Sequence, residues 1–164
     1  MRRRILFVIS EDWAFISHRF ALAKHAISLG YDVFLLTRLT CHSVEIESAG
    51  ITLIDWKLTR GSIRILDLLD NTKEVYKAIS FSKPDIILAV AIKPIICTMA
   101  AEFFSNRGKL VACFGGLGYI FHSKRTKIIF LKRLVSLFLK ISFKKTQAYA
   151  IVQNQSDFRY ISKI

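Results

Sequence analysis

The sequence predicts an α/β fold in which a parallel β-sheet carries helices on both faces. Strand-like and helix-like segments alternate strictly along the 164 residues. The strand segments are continuous apolar runs, which is typical of strands buried on both faces. With 52% hydrophobic residues and only two prolines, the chain can form one core. The disordered, collagen-like and low-complexity classes are excluded.

The predicted strands are short and rich in β-branched residues. The first, residues 4–9, reads RILFVI. Pro84 begins the fourth strand, at a position where a missing N–H is tolerated. The six predicted strands span residues 4–9, 31–37, 51–55, 84–90, 110–114 and 148–152.

The predicted helices show the 3.6-residue period. Apolar residues from Ile16 to Ile27 recur at i, i+4, i+7 and i+11, and Gly30 suits the left-handed residue after that helix. Pro94 is predicted at the first position of its helix. The predicted helices span residues 16–29, 43–49, 63–80, 94–106 and 126–145, and another begins in the last residues.

This alternation predicts a Rossmann-like sheet, in which ligands bind at the carboxyl ends of the strands near the point where strand order reverses. The loops to inspect are then residues 10–15, 37–42, 91–94, 114–122 and 153–157. Neither GxGxxG nor GxxxxGK[ST] occurs. Their absence disfavours an NAD-type oxidoreductase and a P-loop enzyme.

Basic residues concentrate in the last third of the chain. Residues 1–100 hold 13 basic and 10 acidic side chains, whereas residues 101–164 hold 12 and 2. Such a bias predicts an anionic partner: nucleic acid, phospholipid or a phosphorylated substrate. No recognisable nucleic-acid-binding motif is present, so we expect no nucleic acid as partner.

The cysteines and the apolar runs favour a cytoplasmic protein. Cys41, Cys97 and Cys113 form no metal-type pair, and we expect reduced thiols packed as small hydrophobic residues. The apolar run of residues 5–9 is too short for a secretory signal. Lys93-Pro94 interrupts the best candidate for a membrane span, residues 86–104.

Charged residues follow the first strand. Glu11 and Asp12 could accept protons or bind sugar hydroxyls, or they could belong to a solvated loop in which Asp12 caps the next helix. His18-Arg19 is predicted at the start of that helix, where an anion is favoured. A purely structural His18 is the alternative.

Two later loops are further candidates. Lys93 follows the fourth strand directly and would direct a cation toward the ligand crevice, although function and a plain surface position are equally compatible with the pattern. Gly115, Gly116 and Gly118 precede Tyr119, and such a loop permits close backbone approach to a ligand or an anion-binding nest. A tight turn is the alternative.

The predicted helix over residues 126–145 is basic and amphipathic. Residues 122–145 contain eight basic side chains and no acidic one. This composition is typical of helices that lie on a membrane surface, and also of a helix that covers a sheet with a basic outer face. The candidate membrane-surface residues are Lys132, Arg133, Lys140, Lys144 and Lys145. Leu131, Leu134, Val135, Phe138 and Ile141 are predicted on the opposite side.

Five segments occur in a fixed order along the chain: FVISEDWAFISHRFALAK at 7–24, GYDV at 30–33, AIKP at 91–94, GGLGYIF at 115–121, and VQN at 152–154 with Asp157. Taken together they resemble the N-terminal domain of bacterial family 4 glycosyltransferases of the surface-polysaccharide type. The match covers essentially the whole chain. Gly115 stands where relatives usually have serine.

The resemblance implies one half of a GT-B architecture, with the donor-binding C-terminal domain absent from residues 1–164. It implies a retaining transfer from a UDP-linked nucleotide-sugar to a polyprenyl-diphosphate-linked acceptor, with no metal or other cofactor. Glu11 and Asp12 would contact acceptor hydroxyls, and His18 and Lys93 would contact phosphates. Gly116, Gly118 and Tyr119 would line the cleft, and the catalytic residues stay unknown.

Further expectations follow from the same resemblance. The domain would be inactive alone, would lie on the inner face of the plasma membrane, and would need a donor-binding domain or subunit. Asn154 and Asp157 match the family pattern but suit a structural role at the last turn. A non-catalytic module that binds a membrane surface or nucleic acid is the alternative function.

Overall fold

The computed structural model describes residues 2–58, 65–116 and 126–164, with backbone alone for residues 65 and 126–131. Six parallel strands form one sheet in the order β3-β2-β1-β4-β5-β6, which confirms the predicted Rossmann-like class. The strands are β1 Arg4–Glu11, β2 Asp32–Arg38, β3 Thr52–Asp55, β4 Ile86–Val90, β5 Lys109–Phe114 and β6 Tyr149–Val152.

Seven helices occur in this part of the chain. Gly30, with φ +85°, follows α2 as predicted, and Gly50 (φ +84°) follows α3 in the same way. The helices are α1 Asp12–His18, α2 Phe20–Ser28, α3 Ser43–Ser48, α4 Ile65–Ser82, α5 Ile92–Ser105, α6 Thr126–Thr146 and α7 Gln155–Ile161.

The core has two layers because alternate side chains of each strand point to opposite faces. Helices α1, α2 and α3 cover one face, where Phe7, Phe15 and Leu35 are buried. Helices α4, α5 and α6 cover the other face, where Leu6 and Ile95 are buried. This is the two-sided burial that the continuous apolar strands predicted.

The prediction of a single helix over residues 16–29 is wrong in two respects: the helix begins earlier, and it is divided in two. The first helix begins at Asp12, directly after β1, and the chain leaves helical geometry at Arg19 (φ −134°, ψ −9°) before α2 begins. The break allows the ring of Phe15 to pack edge-on against both Phe7 and Phe20. Packing therefore divides a segment whose periodicity suggested one helix.

The position predicted for Pro94 is also wrong. Helix α5 begins at Ile92, so the proline is its third residue rather than its first. The N–H groups of the whole first turn lack partners within the helix, so a proline is tolerated there as well. No helix in residues 2–58, 65–116 and 126–164 has the length and apolar content needed to cross a bilayer.

Candidate functional site at the carboxyl edge of the sheet

The candidate site lies where β1 and β4 are neighbours in the sheet. The helices that follow β1 cover one face of the sheet, whereas α4 and α5, on either side of β4 in sequence, cover the other. The strand order therefore reverses between β1 and β4. Ligands of such sheets bind outside the carboxyl ends of the strands at this reversal. Glu11 ends β1, Ala91 follows β4 and Gly115 follows β5.

Glu11 is buried and forms an ion pair within the protein. The register of β1 against β2 shifts between Val8 and Glu11, which places Glu11 opposite Arg38. The Arg38 Nε donates to Glu11 Oε2 at 3.0 Å, and Glu11 is 3% exposed. The local irregularity of the strand thus gives this carboxylate an internal counter-charge.

Asp12 is fully buried and organises the loop after β2. Its Oδ2 accepts from the N–H groups of Thr40, Cys41 and His42 at 2.7, 3.1 and 3.2 Å. Its Oδ1 accepts from the Thr40 hydroxyl and from the Trp13 N–H. Burial raises its pKa, but these hydrogen bonds outweigh that effect and bring it down to about 2. Asp12 is therefore an ionised structural anchor.

His18 and Arg19 lie at the junction of α1 and α2. His18 is the exposed last residue of α1, not a residue at its start as predicted, and Arg19 is the N-cap of α2. The Arg19 guanidinium donates to the His18 carbonyl at 2.9 Å. Burial raises the pKa of the Cys113 thiol near the end of β5, and the Arg19 charge offsets part of that effect.

The turn after β4 has an unusual backbone. Ala91 has φ 77° and ψ 159°, a region that is essentially glycine-only, and its N–H donates to the Cys113 carbonyl at 3.1 Å. Lys93 is the second residue of α5 and partly buried. Burial raises the pKa of the Cys97 thiol to about 11, and the Lys93 charge offsets part of that effect. Lys93 and Cys97 are four residues apart and share one side of α5.

The glycine loop is described only in part. Gly115 and Gly116 follow β5, and Gly116 has φ +116°, which requires glycine. A Cβ on Gly115 would meet the Gln153 side chain at 3.9 Å, so the end of β6 lies beside this turn. Gly118 and Tyr119 lie outside the described residues.

The residues after β6 are structural. Asn154 caps α7, with its Oδ1 accepting from the Asp157 N–H at 2.8 Å and its Nδ2 donating to Asp157 Oδ2 at 2.9 Å. This is a reciprocal capping arrangement. It explains the Asn–Asp spacing without a ligand.

The basic helix differs from its predicted faces. Lys132 lies 5.1 Å from the ring of Tyr160 in α7 and is partly buried, while Lys145 lies over Phe103 at 4.6 Å. Leu134, predicted on the buried side, is half exposed. The outer surface of α6 mixes both residue types: Arg133, Leu134, Leu137, Lys140, Ile141, Lys144 and Lys145 are exposed.

Sequence reasoning missed the partners of two candidate residues. Arg38 has no motif around it, and only the shifted register reveals its pair with Glu11. Cys113 was read as a core thiol, and only the three-dimensional arrangement brings Arg19 to it. In the described part of the chain, no cluster of three or more His, Cys, Asp or Glu side chains is arranged to hold a metal ion.

Solved structures with a similar fold include several sugar-processing enzymes. A glycosyltransferase from Rickettsia africae superposes with a TM-score of 0.63 at 18% identity, over 92% of this chain and 42% of that one. A UDP-N-acetylglucosamine 2-epimerase from Rickettsia bellii gives 0.61 at 8% identity, over 99% and 42%. The calicheamicin glycosyltransferase CalG4 gives 0.54 at 15% identity, over 100% and 45%. At these identities the likeness establishes the fold alone.

The chain spans less than half the length of these structures. No curated protein matches it by sequence. A sequence model of the family described as "Glycosyl transferase 4-like" matches residues 4–154. Because that match covers nearly the whole chain, and the fold is one Rossmann-like half of the GT-B architecture, the protein belongs to the glycosyl transferase 4-like family.

Proposed function

We propose that this chain is the acceptor-binding half of a retaining glycosyltransferase. The whole enzyme would transfer a sugar from a UDP-linked nucleotide-sugar to a polyprenyl-diphosphate-linked glycan during surface-polysaccharide biosynthesis. The observation that carries it is the family 4-like match together with the reversal of strand order between β1 and β4, where Glu11 ends β1 and Lys93 lies in the first turn of the helix after β4. We propose that a second domain or subunit supplies the donor site, since similar structures are more than twice as long.

The chemistry of transfer suits this set of groups. A departing diphosphate needs cations placed in advance, and Lys93 and His18 are the proposed contacts for phosphate. Glu11 would orient an acceptor hydroxyl, with the Arg38 Nε paired to its Oε2 at 3.0 Å. Gly116, Gly118 and Tyr119 would line the cleft floor. The proposed role of Asp12 is to hold loop 40–42 in place, because both of its carboxylate oxygens accept hydrogen bonds from that loop.

Binding and turnover of the purified chain test this proposal. We expect it to bind a short-chain prenyl-diphosphate sugar and to transfer nothing from a radiolabelled UDP-sugar. Lys93→Gln should weaken acceptor binding about tenfold, the value of one charge-assisted hydrogen bond. Lys83→Gln is the matched control, because Lys83 precedes β4 at the opposite edge of the sheet and is exposed. Turnover by the isolated chain, or equal losses in both variants, would contradict the proposal.

We further propose that the layer formed by α4, α5 and α6 rests on an anionic membrane surface. On α6, three half-exposed apolar residues, Leu134, Leu137 and Ile141, lie among exposed basic residues. This pattern is typical of helices bound to a membrane surface: the apolar side chains enter the lipid interface, and the lysines contact lipid phosphates.

The same helical layer carries a second apolar patch. A groove of about 530 Å³ between α4 and α5 is lined mainly by apolar side chains, including Leu69, Tyr76 and Phe104. Phe104 is 80% exposed, and Lys73 and Lys77 also line the groove. The exposed apolar side chains of this groove would enter the acyl region of a lipid surface whose phosphates meet the basic residues of α6.

Vesicle flotation tests this surface. We expect the chain to float with vesicles containing phosphatidylglycerol but not with pure phosphatidylcholine. The double variant Lys140→Gln, Lys144→Gln should lose most of that binding, whereas Lys83→Gln, Lys109→Gln, which removes the same charge at the amino edge, should retain it. No preference for anionic vesicles, or a steep salt-dependent affinity for duplex DNA instead, would overturn the membrane proposal.

A further inference from the structure

Side chains become steadily more exposed from the centre of the sheet toward β6 on the face that α1, α2 and α3 cover. Residues paired in parallel strands point to the same side, so a row of side chains can be followed across the sheet. The row Phe7, Leu88, Val111 and Tyr149 begins at a side chain that is 1% exposed and ends at one that is 61% exposed. The next row ends in the same way, because Ile151 of β6 is 50% exposed.

The other face of these strands is covered. Ile87 and Leu110, which alternate with the residues above, lie beneath α4, α5 and α6 and are at most 1% exposed. In the part of the chain that the structure describes, neither apolar core includes Val111, Tyr149 or Ile151. These three residues form what we call the uncovered face.

The dimensions of the uncovered face suit a helix. Parallel sheets occur almost only where helices cover both faces, so an apolar area left open on such a sheet favours a helix as its cover. Strands β4 to β6 span two interstrand spacings, about 10 Å, and a helix with its side chains is about 10–12 Å wide. One helix lying along β5 would therefore cover it.

Helix α2 provides an apolar side wall for that position. Ile27 lies on its flank toward α3, since a Cβ on Gly50 after α3 would meet Ile27 Cδ1 at 3.9 Å. Successive residues of a helix are about 100° apart, so Leu22 and Leu29 lie on the opposite flank, toward β4. They are 48% and 64% exposed. A helix on the uncovered face would contact this flank as well as the strands.

The charge of the surroundings favours acidic side chains on such a helix. None of α2, β4, β5 and β6 contains Asp or Glu. Lys109 is exposed at the start of β5 and, two residues before Val111, points to the same side of the sheet. A helix with carboxylates beside its apolar stripe would meet this lysine and the net charge of +13 on the whole chain.

We propose that the uncovered face binds an amphipathic helix of another polypeptide, with apolar side chains against Val111, Tyr149 and Ile151 and acidic side chains beside Lys109. A second copy of this chain fits less well, because each copy carries a net charge of +13. A lipid surface also fits less well, because the basic helix α6 covers the opposite face of the sheet.

A synthetic peptide tests this surface. The probe is a fluorescein-labelled helix of about 18 residues, with Leu at i, i+3, i+4 and i+7 and Glu on the opposite side. In the control peptide, Lys replaces each Glu. We expect saturable binding of the Glu peptide by fluorescence anisotropy, and at least about tenfold weaker binding of the Lys peptide. No saturable binding of the Glu peptide, or equal affinity for the two peptides, would overturn the proposal.

Two variants locate the binding on the molecule. Ile151→Gln on β6 and Leu22→Gln on α2 should each weaken binding of the Glu peptide about tenfold, because each removes an apolar side chain that the complex buries. Val44→Gln is the matched control, since Val44 is 76% exposed on α3, beside β3 at the far edge of the sheet. Ile151 and Leu22 lie on different elements, so a folding defect in one variant does not explain a loss in both. An equal loss in Val44→Gln would contradict the assignment.

The other occupants give different results. If a second copy covers the face, sedimentation of the unaltered chain shows a dimer that Ile151→Gln dissociates; if lipid covers it, vesicles containing phosphatidylglycerol displace the Glu peptide. Either result would overturn the proposal. Peptide binding needs neither sugar donor nor acceptor, so Lys93→Gln should leave it unchanged. Failure of the proposed transfer function would therefore leave peptide binding intact, and failure of peptide binding would leave acceptor binding intact.

Discussion

The two halves of the carboxyl edge treat their charges differently. At the ends of β1 and β2, Asp12 accepts hydrogen bonds from the loop after β2, and Glu11 pairs with Arg38. Near the ends of β4 and β5, the Arg19 guanidinium donates to the His18 carbonyl, its charge offsets part of the rise in the pKa of Cys113, and Ala91 adopts a backbone that suits glycine. The first half pairs its carboxylates with groups of the protein itself, whereas the second has a strained turn and, in the described residues, no carboxylate paired with Arg19.

The difference indicates where a ligand would gain most. Groups that already satisfy one another offer little to a substrate, because binding must first break their contacts. A cation held by neutral partners offers its full charge. Substitutions at Asp12 and Arg38 should therefore change stability, whereas Lys93→Gln should change binding more than stability.

The largest stability effect is expected at Asp12. Asp12→Asn removes the charge that five donors surround, and should lower the free energy of unfolding near neutral pH by about 2 kcal/mol. Urea unfolding followed by tryptophan fluorescence measures this loss. Asp70→Asn is the control, because Asp70 is 76% exposed and forms a surface pair with Lys73.

The same carboxylate gives a pH dependence with a defined sign. The pKa of Asp12 in the folded chain is about 2, below its ordinary value of 3.8. Its contribution to stability is therefore complete above about pH 4 and is lost as the pH falls toward about 2. Asp12→Asn should flatten that part of the stability curve. An unchanged acid transition in the variant would show that Asp12 is not the anchor of its loop.

A smaller effect is expected from the ion pair beside it. Arg38→Gln leaves the buried Glu11 without its cation and should cost about 1 kcal/mol, since Arg38 is itself 41% exposed. Thermal unfolding detects this change. Arg2→Gln removes a surface partner of Asp32 at 3.7 Å and should have no measurable effect. Equal losses in the two variants would contradict a special role for the shifted register of β1.

The smallest effect, and the only stabilising one, is expected at Ala91. Ala91→Gly relieves the strain at φ 77° and should raise the free energy of unfolding by up to about 1 kcal/mol, after the entropy cost of glycine. Ala91→Val should lower it, because a β-branched residue resists this region. Asn106, with φ 45° and ψ 45°, lies in the left-handed helical region that asparagine tolerates, so glycine there should stabilise the chain less than at Ala91. If Ala91→Gly instead lowers the free energy of unfolding, the turn at Ala91 is not strained.

The alternation of apolar strands and amphipathic helices predicted the six strands and their class. Each strand end lies within two residues of its expected place, since burial on both faces leaves a signal in the sequence itself. The division of residues 12–28 into two helices was not predictable from periodicity. It depends on how Phe15 packs between Phe7 and Phe20, which are brought together only by the fold.

The candidate site was predictable by position but not by pairing. The sequence by itself determined the alternation of elements, the loops at the carboxyl edge and the concentration of positive charge after residue 100, because these are properties of local order and composition. Only the tertiary structure decided that Glu11 meets Arg38, that Asp12 ties down the next loop, and that the charge of Arg19 acts on Cys113. Those pairings depend on strand register and on a break between two helices, and the spacing of neighbouring residues predicts neither.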